Sequence, residues 1–259
     1  MRNVIVAAVV SCSASLTGSV SAQTLPWHST LEEASAIAQR ANQPMLLDFQ
    51  AEWCPLCKVM DAEVYSNADV MRASEPFAAV QIDFDRNPRL ARKYNVESMP
   101  TFVVTDSYGV ELFRYSGLMG ARAFSDLLRA LPHDLTEFNR LTRLLDRDGG
   151  NVGVLSEMGA RLRAAGLHRT SNAYYRRALK RGELSAHTAA RETVLSAMAL
   201  NYLDLNEGRL AADTLEKCLK EFPSSQRIAE WTLNLDRALV LAQVEIELAS
   251  VRRRKDATR

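Results

Sequence analysis

The sequence carries little net charge and contains no long hydrophobic run. Lysine and arginine total 32 against 31 aspartate and glutamate residues, for a formal net charge of +1 over 259 residues. A nearly neutral chain gives no reason to expect nucleic acid as a partner, and we interpret the basic run at 252–255 as a solvated helix end. The apolar run at 4–10 is far too short to cross a bilayer, so no transmembrane segment is expected.

Cysteine and histidine are also scarce, which argues against a disulfide-stapled scaffold and against a metal site. Cys54 and Cys57 form one close pair, and Cys218 stands far from them. A lone Cys-x-x-Cys could be half of a zinc site, but no second pair exists and the four histidines are scattered. We therefore expect no metal and no cofactor, and we interpret Cys218 as an inert packing residue.

The N-terminus resembles an export signal. Arg2 supplies a positive charge, a short apolar core follows, and Val20-Ser21-Ala22 offers a cleavage site before Gln23. We expect residues 1–22 to be a cleaved signal peptide and the mature protein to be periplasmic or secreted. An alternative is a lipid anchor at Cys12, because residues 9–12 weakly resemble a bacterial lipoprotein box.

Residues from about 27 to 132 alternate between helical and strand patterns, which is typical of an α/β layered domain, and we assign residues 23–134 to this domain. Amphipathic or proline-initiated segments predict helices, and buried apolar runs predict strands. The predicted helices are 31–40, one from Pro55 onward, 88–93 and 121–131. The predicted strands are 44–49, 77–84, 101–105 and 110–115, with a turn at 107–109.

Residues 135–251 have helical periodicity and no strand pattern, and we assign residues 135–259 to a helical domain. Two stretches repeat a helix–turn–helix arrangement, with small residues at Gly159 and Ala199 where helices would touch and turns at Gly166 and Asn206. Both stretches resemble the tetratricopeptide repeat, although their offset exceeds the usual period of about 34 residues. We expect Ser225 to cap a long terminal helix that runs to residue 251.

Residues 53–58 contain the side chains that we expect to perform the chemistry of this protein. A buried strand leads into a sharp turn, and a Cys-x-x-Cys pair then opens a helix, with Pro55 at the first helical position. The positive end of the helix dipole favours the thiolate form of the first cysteine, Cys54. A thiolate is what thiol–disulfide exchange requires, so this feature indicates redox chemistry.

Residues 45–131 resemble the thioredoxin superfamily. The resemblance rests on the order and spacing of the Asp48-Phe49 strand, the 53–58 motif, Met99-Pro100-Thr101-Phe102 and Gly117. The segment at 64–67 makes the chain most similar to secreted members, such as the periplasmic C-terminal domain of DsbD-type transmembrane reductases. The resemblance implies a thioredoxin fold for this part of the chain, and the repeat pattern of the second half predicts that an all-α, tetratricopeptide-like domain follows it.

The resemblance also implies a role for each residue of the pair. Cys54 would be the exposed nucleophile that attacks a substrate disulfide, and Cys57 would be the more buried thiol that resolves the mixed disulfide. The two would form a redox-active disulfide. Asp48 would be the family's buried carboxylate, whose pKa burial raises so that it can accept the proton of Cys57. The alternative for Asp48 is a polar residue on an edge strand.

Three further residues are implied to bind substrate. Trp53 would shield the pair and shape the docking surface; its alternative is a core residue. Pro100 would be cis and would leave the backbone of Met99 free to pair with a bound peptide; its alternative is an ordinary loop proline. The sequence departs from thioredoxins at Pro55-Leu56 between the cysteines, and at Gln81 where thioredoxins often carry a lysine.

The residues and the resemblance together predict an exported thiol–disulfide oxidoreductase. It would act on protein clients in the reducing or isomerising direction, exchange electrons with an unidentified donor or acceptor protein, and use its helical repeats to dock partners. One alternative is an envelope adaptor that binds cysteine-bearing clients without redox turnover. Another is metal delivery through the dithiol.

Overall fold

The computed structural model describes residues 25–181, 184 and 188–257, and over these residues the chain forms a four-stranded sheet and eleven α-helices. The strands are β1 (Met45–Gln50), β2 (Ala78–Asp83), β3 (Thr101–Thr105) and β4 (Glu111–Ser116). The helices of the N-terminal half are α1 (Leu31–Ala41), α2 (Pro55–Val59), α3 (Ala68–Ser74), α4 (Pro88–Lys93) and α5 (Ala121–Ala130). Those of the C-terminal half are α6 (Thr136–Arg147), α7 (Val152–Ala164), α8 (His168–Leu179), α9 (Ala189–Asp204), α10 (Gly208–Glu221) and α11 (Ile228–Ala257).

The sheet has the order β2-β1-β3-β4. β1 pairs parallel with β2 and antiparallel with β3, and β3 pairs antiparallel with β4. β1 is therefore an interior strand, and in its register Asp48 stands opposite Gln81 of β2. The strands and helices predicted within residues 23–134 are all present, with ends that differ from the expected ones by one or two residues.

The two faces of the sheet are covered separately, because successive side chains of a strand point to opposite sides. On one face Met45, Leu47 and Phe49 pack with residues of α1 and α4 in one hydrophobic cluster. Leu46 points to the other face, where α3 and α5 cover the sheet. α2 continues on that second face into a π-helical turn over Met60–Val64.

The C-terminal half is a stack of helices in which chain neighbours pack on each other. The small residues do what the repeat pattern predicts: a Cβ on Gly159 would lie 2.5 Å from the ring of Tyr175, so only glycine lets α7 and α8 approach this closely. Gly166 and Asn206 sit in the turns with positive φ angles of 73° and 55°.

The terminal helix differs from its predicted bounds. α11 begins at Ile228 and ends at Ala257. The hydroxyl of Ser225 accepts a hydrogen bond from the N–H of Arg227 and donates one to Glu192, so it closes the turn before the helix. The prediction that Ser225 caps the helix directly was wrong, since the chain makes another turn between Ser225 and Ile228.

The two halves pack into one hydrophobic cluster, which runs from Leu25 to Ala238. Polar contacts join them as well. The N–H of Leu135 donates to the carbonyl of Asn42 (2.7 Å), and the side-chain amide of Asn139 donates to Asn42 Oδ1 (3.0 Å) and to Ser107 Oγ (2.9 Å). The hydroxyl of Thr170 on α8 donates to the carbonyl of Leu112 on β4 (2.6 Å). The helices beyond residue 134 pack directly against the α/β domain. The predicted domain boundary at 134 stays a prediction.

Among the described residues, no helix is both long enough and apolar enough to cross a membrane. The predicted signal peptide at 1–22, its alternative lipidation site Cys12, and His187, one of the four scattered histidines, lie outside the described residues.

Candidate active site

The cysteine pair forms a disulfide at the start of α2. Cys54 Sγ and Cys57 Sγ are bonded at 2.16 Å, and their Cα atoms lie 5.3 Å apart. Cys54 is the N-cap residue of the helix, Pro55 follows at its first position, and Cys54 Sγ accepts a hydrogen bond from the N–H of Cys57 (3.1 Å). The same N–H would stabilise a thiolate on Cys54 once the disulfide opens, because N–H groups at a helix start are orphan donors.

Both sulfur-bearing residues are covered in the disulfide form. Cys54 and Cys57 each expose 3% of their surface, and they cluster with Ala51 while Phe84 and Met99 pack against them. The prediction that Cys54 is exposed and Cys57 more buried was therefore wrong for this state. The two side chains are alike in burial because the neighbouring apolar groups close over the whole disulfide ring.

Exposed apolar side chains flank the disulfide. Trp53 is 62% exposed and Leu56 45% exposed. The indole N–H of Trp53 donates to the carboxylate of Asp85 (2.8 Å), which fixes the ring at the surface. The alternative of Trp53 as a core residue was wrong. Large exposed apolar groups beside a reactive pair are suited to contact with another protein.

The Met99–Pro100 segment has the backbone geometry that the motif implied. The Met99–Pro100 peptide bond is cis, and the carbonyl of Pro100 accepts a hydrogen bond from the N–H of Gly117 (2.8 Å). Neither the N–H nor the carbonyl of Met99 has a hydrogen-bond partner among the described residues. This backbone can therefore pair with an extended peptide, since an unpaired backbone group seeks a partner.

Asp48 lies in the interior of the sheet and is 2% exposed. Its Oδ2 accepts a hydrogen bond from the amide of Gln81 (3.3 Å), which also donates to Asp61 (2.9 Å), while Oδ1 is buried without a partner. Burial raises the pKa of Asp48 from 3.8 to about 7, although nearby Tyr65 and Gln81 oppose the shift. The alternative of an edge-strand residue was wrong, because β1 is flanked on both sides.

Tyr65 is a member of this site to which the sequence analysis assigned no role. It is 1% exposed, and its hydroxyl is buried without a regular hydrogen bond among the described residues. Burial raises the pKa of this phenol, and the charge of nearby Asp48 raises it further. Tyr65 follows the π-helical turn at Met60–Val64, so the spacing from Cys57 does not reveal that its hydroxyl faces Asp48.

Cys218 stands apart from this site, as expected. It is a free cysteine, fully buried in α10, and burial raises its pKa to about 12. A thiol with so high a pKa remains protonated near neutral pH and is a poor nucleophile. No group of three or more His, Cys, Asp or Glu side chains comes together for a metal among the residues that the structure describes.

These features define a thioredoxin-like domain: a redox-capable Cys-x-x-Cys pair opens a helix beside a β2-β1-β3-β4 sheet, with a cis proline and a buried carboxylate. Residues 31–132 match the family model of the thioredoxin-like domain. The match ends before α6, so it covers the α/β half of the chain and does not describe the helical half.

The chain is similar to curated proteins named as a thiol:disulfide interchange protein and as a thioredoxin. The thiol:disulfide interchange protein DsbD of Klebsiella pneumoniae is 34% identical over 107 residues, which cover 39% of this chain and 18% of that protein. The chloroplastic thioredoxin Y2 of Arabidopsis thaliana is 32% identical over 75 residues, which cover 29% of this chain and 44% of that protein. The chain thus spans less than half the length of either relative.

Among solved structures, the oxidised C-terminal domain of Neisseria meningitidis DsbD is 26% identical. The alignment has a TM-score of 0.34 and covers 37% of this chain and 87% of that domain.

Proposed function

We propose that the chain is an exported thiol–disulfide oxidoreductase that exchanges disulfides with protein clients through Cys54 and Cys57. One observation carries the proposal: the disulfide opens a helix in which the N–H of Cys57 donates to Cys54 Sγ, and on the same side of the sheet lies a carboxylate, Asp48, with a pKa of about 7. This arrangement supplies both a stabilised nucleophile and a proton acceptor that works at neutral pH.

In the first step the reduced protein meets a client disulfide. The Cys54 thiolate attacks one client sulfur, the client S–S bond breaks, and a Cys54–client mixed disulfide forms as the other client sulfur leaves as a thiolate. The amide N–H of Cys57, which donates to Cys54 Sγ in the disulfide form, stabilises the attacking charge. Exposed Trp53 and Leu56 and the unpaired backbone of Met99 bind the client chain around the bond.

In the second step Cys57 resolves the mixed disulfide. Asp48 takes the thiol proton of Cys57, and the resulting thiolate attacks Cys54 Sγ, which closes the intramolecular disulfide and releases the client as a second thiolate. Two electrons pass from the protein to the client. A pKa of about 7 suits Asp48 to this transfer, because the carboxyl is partly ionised near neutral pH and can therefore both accept and release a proton there.

The proposed direction is reduction or isomerisation of clients. No histidine lies between the cysteines to stabilise the thiolate form, and the buried Asp48 favours removal of the Cys57 proton. Return to the dithiol form requires a donor protein that carries a dithiol. Equilibration with glutathione tests the direction: known members span roughly −270 to −120 mV, and we expect a value in the reducing half of that range. A value at the oxidising end would make the protein a disulfide donor.

The catalytic test is the reduction of insulin disulfides with dithiothreitol as donor. We expect the wild-type chain to accelerate it, Cys54→Ser to abolish the acceleration, and Cys57→Ser to stall as a mixed disulfide. Cys218→Ser is the matched control and should behave as wild type, since that thiol is buried in α10. If the wild-type chain gives no acceleration and its pair does not react, the adaptor hypothesis replaces the enzyme.

We also propose that the helical half docks partners, and we place the docking in the cleft between the two halves. This cleft has a volume of about 580 Å³, and apolar side chains of β4, α5 and the α7–α8 turn line it, among them Leu112, Leu127 and Leu167. A partner seated here contacts both halves at once.

A pair of neighbouring alanines tests the docking site. Ala165 lines the cleft, whereas the adjacent Ala164 is exposed outside it. In a Cys57→Ser background, Ala165→Trp should reduce the set of clients trapped in the cell, and Ala164→Trp should leave it unchanged. With Cys57 intact, insulin reduction by either tryptophan variant should match wild type. An unchanged client set with Ala165→Trp would contradict docking in the cleft.

Export is tested at the N-terminus of the protein recovered from cells. We expect the mature chain to begin at Gln23, after cleavage at the end of residues 1–22. A lipid-modified N-terminal Cys12 would instead establish the anchored form.

A further inference from the structure

The terminal helix α11 exposes a row of aliphatic side chains. Leu233, Val240, Val244 and Val251 are 72%, 67%, 45% and 42% exposed. Their spacing of seven, four and seven residues places them on one face of the helix, because side chains three, four and seven residues apart lie above one another. A different face, which includes buried Trp231 and Ala238, packs against the preceding helices.

Charged residues complete the row in a strict three–four alternation. Arg237 and Glu247 fill the intervening positions, Glu230 and Arg254 extend the row at its two ends, and all four side chains are exposed. The full row is Glu230, Leu233, Arg237, Val240, Val244, Glu247, Val251 and Arg254. Alternating steps of three and four residues are the a and d positions of a coiled coil, so this face has the geometry of a helix–helix seam.

The order of the charges selects the partner and its direction. When the row is laid against a second copy running the opposite way, Glu230 faces Arg254 of the second copy and Arg237 faces its Glu247. The apolar residues also meet, because Leu233 faces Val251 and Val240 faces Val244. In a parallel pair each charged residue would face its own kind, which places like charges in four layers. The row is therefore complementary to itself in the antiparallel direction.

We propose that two copies of this chain associate through α11 in an antiparallel, two-fold symmetric coiled coil. Such an interface is isologous, so each contact occurs twice. From Glu230 to Arg254 the row is about 36 Å long at 1.5 Å per residue. The aliphatic layers supply the burial, and the stems of Arg237 and Glu247 extend the apolar seam while their charged ends meet at its margin.

α11 is held firmly enough to present this row. The N–H of Gly208 donates to the carboxylate of Glu245 (2.5 Å). A Cβ on Gly208 would lie 2.3 Å from the backbone nitrogen of Ala242, so the start of α10 touches the backbone of α11. This close contact lies on the packed face and leaves the row of eight residues open to solvent.

The first test compares two adjacent aliphatic residues by sedimentation analysis of the chain without residues 1–22. Val240 belongs to the row, and Leu239, which is 50% exposed, lies about 100° around the helix from it. We expect the wild-type chain to show a monomer–dimer equilibrium, and Val240→Glu to raise the dissociation constant by at least about tenfold because it buries a carboxylate among aliphatic side chains. Leu239→Glu should leave the constant unchanged.

The second test exchanges charges. Arg237→Glu sets two carboxylates against each other in two symmetric layers and should weaken the dimer by at least about tenfold. Arg237→Glu combined with Glu247→Arg restores opposite charges only in the antiparallel pair and should return the dissociation constant to near the wild-type value. Equal helical circular dichroism in all variants checks that each is folded.

Three results would overturn the proposal. The wild-type chain could remain monomeric at every concentration up to its solubility limit. Leu239→Glu could weaken the dimer as much as Val240→Glu, which would place the contact elsewhere. The charge exchange could fail to rescue Arg237→Glu, which would exclude antiparallel pairing.

Discussion

Replacement of Asp48 by asparagine should stabilise the oxidised protein, and increasingly so as the pH rises. Asp48 is 2% exposed, and burial raises its pKa from 3.8 to about 7. The folded state thus binds this proton more tightly than the unfolded chain does. Stability contributed by the protonated group is present at low pH and is lost as the pH rises from about 4 to about 7.

The pKa difference sets the magnitude. Each unit between the folded and unfolded pKa is worth about 1.4 kcal/mol, so the ionised carboxylate costs the folded state about 4 kcal/mol above pH 7. Asparagine has nearly the same shape and carries no charge. We expect Asp48→Asn to match wild type at pH 4 and to exceed its free energy of unfolding by about 4 kcal/mol at pH 8.

Chemical denaturation of the oxidised proteins between pH 4 and pH 8, followed by circular dichroism, measures the difference. Asp213→Asn on the exposed face of α10 is the matched control, and its difference from wild type should be small and should not vary with pH. The same Asp48 variant should resolve mixed disulfides more slowly, because Cys57 loses its proton acceptor. A stability difference for Asp48→Asn that does not change with pH would refute the reasoning.

Three other substitutions test separate parts of the structure. Gln81→Lys places a cation opposite Asp48, which should lower the pKa of this carboxyl. The pH at which the variant loses stability should therefore lie about one unit or more below that of the wild-type protein, as the same denaturation series would show. Trp53→Ser should raise the KM for a protein client while leaving the reaction with dithiothreitol unchanged, because the 62% exposed ring binds the client and takes no part in the exchange. Gly159→Ala should destabilise the protein by about 1–3 kcal/mol in urea denaturation, since the added methyl meets the Tyr175 ring.

The α/β fold and the central residues of the site were accessible from the sequence because they depend on local signals. Strand patterns, Pro55 at a helix start and the spacing of Cys54 and Cys57 are features of short segments. Met99-Pro100 became informative through resemblance to a family. The cis peptide bond and the interior position of Asp48 agree with that expectation.

Other features depend on contacts between distant segments, and a single sequence does not reveal them. The burial of Cys54 follows from Phe84 and Met99, which come from two other parts of the chain. The position of Tyr65 follows from the π-helical turn, which has no clear sequence signal. The contact of Asn139 with Asn42 and Ser107 fixes α6 on the α/β domain, although the change of pattern after residue 134 predicts a separate domain.

The burial of the disulfide has a consequence for client recognition. Because Cys54 is 3% exposed in the oxidised form and Met99 and Phe84 pack against the disulfide, the proposed function requires one of these side chains to move before a reducing partner can reach the sulfur. The exposed side chains of Trp53 and Leu56 lie outside this cover. Under the proposed function we therefore expect recognition at the surface and access to the sulfur to be separate steps, so that substitutions affect one without the other.

Mass spectrometry of the Cys57→Ser protein recovered from its native compartment tests the central claim most directly. The account predicts client proteins joined to Cys54 by a disulfide that dithiothreitol releases, and none in a Cys54→Ser, Cys57→Ser double variant. The absence of adducts on Cys54, or adducts carried by Cys218 instead, would contradict thiol–disulfide exchange through this pair.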